Sequence, residues 1–93
     1  MKYSEALRQG IASDKYVQET GTWTPVERED GKIGTCAGGV IGLELGLSQD
    51  EVSVLLYCSQ PIGDWETFRR VIQQNDEGES FEDIAQYLEE QGL

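Results

Sequence analysis

Cys36 is the residue best placed to do chemistry. It opens the run Cys36-Ala37-Gly38-Gly39-Val40-Ile41-Gly42-Leu43-Glu44-Leu45-Gly46-Leu47. If residues 36–46 are helical, with Thr35 as N-cap, Cys36 lies in the first turn. Free N–H groups and the helix dipole lower a thiol pKa there. A nucleophile uses that arrangement, but it also needs a base, and the chain has no histidine. The other cysteine, Cys58, forms no Cys-x-x-Cys pair with it. Burial as a small hydrophobe is the plainer role for both. A disulfide would require their helices to cross closely, and a reducing compartment argues against one.

The glycines around Cys36 suggest nucleotide binding, and the spacing rejects it. A phosphate loop needs Gly-Lys-Ser/Thr, whereas Gly31-Lys32 is followed by Ile33. A dinucleotide fingerprint needs a glycine two positions before Gly39, where Ala37 stands. What remains is a row, Gly34, Gly38, Gly42 and Gly46, on one drifting helical face. Each interior glycine costs roughly 1 kcal/mol of helix propensity against alanine, so close packing must compensate. Helix 3–13 or helix 64–75 is the expected neighbour.

The third set is acidic: Asp76, Glu77, Glu79, Glu82, Asp83, Glu89 and Glu90. Read as a calcium loop with Gly78 at position six, it puts Gln73 at position one and Ile84 at twelve, so the match fails. Weak nonspecific divalent binding is the most it offers. Acid–base catalysis needs a desolvated carboxylate in a cleft. Only Glu44, on an apolar helix, is a candidate for burial, with Arg8 or the helix edge to satisfy it. No catalytic set, metal site or cofactor is expected, and the chain reads as a non-enzyme.

The elements that position these residues follow from periodicity. Tyr3, Leu7 and Ile11 repeat every four residues and predict a helix over 3–13, with Ser4 as its cap. Residues 14–35 turn to β-branched and aromatic types. They predict a small hairpin, 16–26 with a return strand at 32–35 through the turn Glu29-Asp30-Gly31-Lys32; a structured loop is the alternative. The apolar glycine helix belongs at the centre of the fold, with Gly46 as its stop. Ser48-Gln49-Asp50-Glu51 is a capping box for a helix to 58 that buries Val52, Leu55 and Leu56. Gln60-Pro61-Ile62-Gly63 ends that helix, and Asp64 caps the next, 64–75, with Trp65, Phe68, Val71 and Ile72 on one stripe. Ser80 starts a last helix to 91, with Phe81, Ile84, Ala85 and Leu88 inward. The fold class is mainly α: one domain, 1–93, a compact bundle of about five short helices with one β-hairpin between the first two.

The net charge is −11, and residues 64–93 hold nine of the 18 acids against only Arg69 and Arg70. Such a surface repels nucleic-acid phosphates and anionic membranes; it attracts a basic partner or a divalent cation, or serves only as a solvated face. The most apolar stretch, 33–47, is too short to span a bilayer and carries Glu44. No signal peptide is read at the start, so the expected compartment is the cytoplasm.

The opening Met1-Lys2-Tyr3-Ser4-Glu5-Ala6-Leu7-Arg8-Gln9-Gly10, the segment at Cys36-Ala37 and the ending from Asn75-Asp76 through Ser80 to Asp83-Ile84 carry a resemblance. They resemble a group of small uncharacterised bacterial and phage proteins with a Ser-Glu-Ala helix and a Cys-Ala-Leu-Gly-Ala segment. Those proteins end in Asn-Asp, a short gap, Ser or Thr, two residues, then an acid and Ile or Val. This chain departs from them with Gly38-Gly39-Val40 after Ala37 and with three residues between Asp76 and Ser80. It also lacks the Cys-x-x-Cys pair of some members. The resemblance implies a fold and a phage or mobile-element source, and no chemistry.

Three functions stay open. The first is a small acidic protein-interaction module that meets a basic surface or a second copy of itself through the acidic face or the glycine face. The second is a DNA mimic that inhibits a nucleic-acid-binding protein. The third is a small-ligand or thiol-dependent activity near Cys36.

Overall fold

The structure is a computed structural model. It describes residues 2–21, 25–58 and 65–93, with backbone alone for 55–58, 65 and 68. In chain order it has α1 (Tyr3–Ser13), β1 (Tyr16–Gln18), β2 (Val26–Glu27), β3 (Ile33–Thr35), α2 (Ala37–Glu44), α3 (Gln49–Cys58), α4 (Trp65–Asp76) and α5 (Phe81–Glu90). The mainly helical expectation holds, with a small mixed sheet added to it.

That sheet differs from the expected hairpin. Its order is β1-β3-β2. β2 and β3 pair antiparallel, Val26 opposite Gly34 and Glu27 opposite Ile33. This is the hairpin half of the expectation, closed by the 28–32 turn, where Arg28 N–H reaches Lys32 O at 2.7 Å. β1 instead lies parallel to β3, with Tyr16 opposite Ile33 and Gln18 opposite Thr35. β3 thus takes the central place, and burial explains it: Gly34 and Thr35 are covered on both sides. A side chain at 34 would collide with the Glu19 carboxylate, so glycine lets β1's continuation lie close.

α2 is the hub of the helical layer. Every residue from Ala37 to Gly42 is buried, as an all-apolar helix requires. α1, α3 and α4 pack on it, and α5 packs on α1 and α4. Leu7, Val40, Ile41, Val52, Val71, Ile84 and Leu88 are fully buried. The glycine row does not present one face to one helix. A Cβ at Gly42 would stand 2.9 Å from Val52 of α3, and one at Gly34 would meet Glu19; beside the row, one at Gly39 would meet Thr35. The close approach of α1 to α2 uses α1's own glycine, because a Cβ at Gly10 would run into Val40.

Helix ends follow the sequence where the signal is local. The Ser48–Glu51 capping box is formed, both bonds at 3.1 Å. Ser80 Oγ accepts Asp83 N–H at 3.1 Å. Gly46 (φ +98°) and Gly78 (φ +95°) adopt the left-handed turn that ends α2 and α4. Two expected caps are displaced. Lys2, not Ser4, is the N-cap of α1, and Ser4 is buried inside the helix. Cys36, not Thr35, is the N-cap of α2, because Thr35 is drawn into the ladder with β1, its carbonyl accepting Glu19 N–H at 3.0 Å. The Gln60-Pro61-Ile62-Gly63 stop, the Asp64 cap and the side chains of Leu55, Leu56, Cys58, Trp65 and Phe68 lie outside what the structure describes.

Candidate functional site

The head of α2 places Cys36 as N-cap, but its thiol makes no capping hydrogen bond. The side chain is buried, with 1% of its surface exposed. Burial pushes the thiol pKa up, and the backbone N–H groups of Gly39 and Gly38 offset this only in part. The helix-head effect that would activate a nucleophile is therefore outweighed by desolvation. Beside it, the Thr35 hydroxyl is buried with no hydrogen-bond partner among the described residues.

Asn75 lies in the same region and is fully buried. Its Oδ1 accepts Ala37 N–H at 3.0 Å and Gln18 Nε2 at 2.9 Å. Its Nδ2 donates to Glu19 O at 2.8 Å. Gln18 Nε2 also donates to Glu79 O, and Gln18 Oε1 accepts Phe81 N–H at 3.1 Å. Ala37 and Phe81 are the first residues of α2 and α5, where N–H groups have no partner within their own helix. Two side-chain amides thus cap two helices from far along the chain. Neither Gln18 nor Asn75 was singled out from sequence. Asn75 carried a signal, since it continues the buried stripe of α4 four positions after Val71.

The predicted acidic residues lie along the end of α4, the following turn and α5. Asp76, Glu77, Glu82, Asp83, Glu89 and Glu90 are exposed and Glu79 is half-buried. Several are oriented. Asp76 accepts Gly21 N–H at 2.9 Å, and Gln73 donates to Glu77 at 3.2 Å. Arg8 of α1 pairs with Glu89 at 2.8 Å, and this hydrogen bond holds the Glu89 carboxyl below its usual range. Glu82 and Asp83 occupy the first turn of α5, where the dipole favours negative charge. They border an open groove of about 420 Å³ whose other wall is Gly10, Ile11, Asp14 and Tyr16. Among the described residues, no group of three or more acids and cysteines is arranged to hold a metal ion.

Glu44 finds a partner other than Arg8. The Tyr16 hydroxyl donates to its Oε2 at 3.2 Å. Burial, followed by the Glu44 charge and hydrogen bond, pushes the Tyr16 pKa up to about 12. Among the described residues, no helix is long and apolar enough to cross a membrane. Compared with known proteins, the chain matches no family model, no curated protein and no solved structure.

Proposed function

We propose that the chain is a non-enzymatic interaction module whose acidic α4–α5 surface receives a basic surface of another protein. The observation that carries this reading is the run of exposed carboxylates along the end of α4, the following turn and α5, in a chain of net charge −11. Only Glu89 among them has an ion-pair partner within the described residues. Such a field steers a cationic partner and speeds its encounter. A cytoplasmic protein of phage or mobile-element source fits the same reading. The DNA-mimic alternative draws on the same charge. The thiol alternative is weakened by the burial of Cys36 and the upward shift of its pKa.

A lysine-rich peptide is the probe. The parent should bind it with marked salt dependence. Reversing Glu82, Asp83 and Glu90 to lysine should abolish binding, while reversing Glu27, Glu29 and Asp30 on the β2–β3 hairpin should not. Equal losses from the two triple variants would reduce the effect to net charge and remove the surface as a site. Displacement of duplex DNA from a basic DNA-binding protein by the parent would favour the mimic instead.

A further inference from the structure

We infer that the paired amides of Gln18 and Asn75 form a latch that makes β1 and the heads of α2 and α5 open as one unit. Gln18 and Asn75 stand 57 positions apart and meet at 2.9 Å. Each also holds a helix head: Asn75 Oδ1 takes Ala37 N–H, and Gln18 Oε1 takes Phe81 N–H. Asn75 Nδ2 adds the Glu19 carbonyl, the residue whose N–H continues the β1–β3 ladder. Asn75 and Ala37 are buried and Gln18, Glu19 and Phe81 half-buried, so breaking one of these bonds leaves polar groups with reduced access to water, and linked hydrogen bonds polarise one another. Separate opening of either head therefore costs nearly as much as opening both. Glu82 and Asp83 ride on the α5 head, so the latch also sets the shape of the acidic surface. That last consequence rests on the proposed function; the latch itself does not.

Amide exchange in the full chain tests it. Among the described residues Gln18 makes no hydrogen bond to Ala37, so independent caps predict that Gln18→Ala accelerates exchange at Phe81 alone. The latch predicts that Ala37 and Phe81 accelerate together, by about tenfold or more. Glu51 and Val52 at the head of α3 should stay unchanged. Gln18→Glu sharpens the distinction: it keeps an acceptor for Phe81 but has no donor for Asn75 or Glu79. Joint acceleration at Ala37 and Phe81 in Gln18→Glu supports the latch. Protection retained at Phe81, or an equal rise at Glu51 and Val52, overturns it, since the caps are then independent or the opening unit is the whole domain.

Discussion

Gln18, on β1, accepts the N–H of Phe81 at the head of α5 over 3.1 Å, across 63 positions of sequence. Ser80, the local cap of the same helix, satisfies a different donor, Asp83 N–H. The head of α5 is thus held by one neighbour in sequence and one neighbour in space. The head of α2 leans on the distant kind: the Cys36 thiol makes no full capping hydrogen bond, and Asn75 takes the Ala37 N–H. α1 has both kinds, Lys2 N–H donating to Glu5 Oε1 at 3.4 Å and Ser4 N–H to Leu93 O at 3.2 Å. In a small domain with a modest core, such long-range caps join helix termini to tertiary structure and make secondary structure depend on the fold.

Asn75 should be the costliest polar residue to remove. Asn75→Ala strips partners from Ala37 N–H, Glu19 O and Gln18 at once, inside a fully buried site. A loss of about 2–4 kcal/mol is expected from several unsatisfied buried groups. Asn75→Asp should be comparable, since a carboxylate cannot donate to Glu19 O and brings a charge into the interior. Urea unfolding of the two variants measures this. A midpoint within error of the parent would show that water replaces the network at no cost.

Gly10 should tolerate no side chain while Val40 stands opposite. A Cβ there runs into Val40 Cγ1 and lies 3.3 Å from the Tyr16 ring. Val40 is fully buried, so it has little room to move. Gly10→Ala should lose about 1–3 kcal/mol by overpacking. Val40→Ala added to Gly10→Ala should cost less than the sum of the two single changes. Strict additivity in thermal melts would mean that the helices do not meet at this pair.

The glycines show which parts of the fold were legible in sequence. Gly46 was readable as a helix stop because a left-handed turn is a local demand, met by one residue type. The Ser48–Glu51 box and the Ser80 cap were readable for the same reason. The central place of α2 followed from its lack of a polar face. The partners of the glycine row did not follow, because periodicity gives a face and not its neighbour: Gly42 meets α3 and Gly34 meets Glu19. The parallel β1–β3 pairing was hidden too, since the turn signal at 29–32 speaks only for β2 and β3. At the candidate surface, the acids were plain from charge alone. Gln18 and Asn75 were not, although a polar residue on the apolar stripe of α4 is the pattern that marks a buried network.

Tyr16 should make stability fall at high pH. Its pKa rises from 10.0 to about 12, through burial first and then the charge and hydrogen bond of Glu44. A raised folded value means that the folded state favours the neutral phenol. The contribution is complete below pH 10.0 and is lost as pH climbs towards 12. Between those limits the parent Tm should drop more steeply than that of Tyr16→Phe, which has nothing to ionise at this site. Parallel Tm curves would show that Tyr16 titrates equally in the folded and unfolded chain.

Cys36 should be a slow thiol, and its rate separates the interaction reading from the thiol reading. Burial raises its pKa against the smaller pull of the Gly39 and Gly38 N–H groups, so little thiolate forms near neutral pH and little reagent reaches it. In a Cys58→Ser background, a chromogenic disulfide reagent should modify Cys36 on the order of a hundredfold more slowly in native buffer than in urea. The rate should rise in step with unfolding, because access requires opening of the α2 head. Asn75→Ala, which removes the Ala37 cap, should speed the reaction in native buffer. Rapid modification of the folded parent would contradict the burial of Cys36 and place a reactive thiol at the head of α2, the position that activity near Cys36 requires.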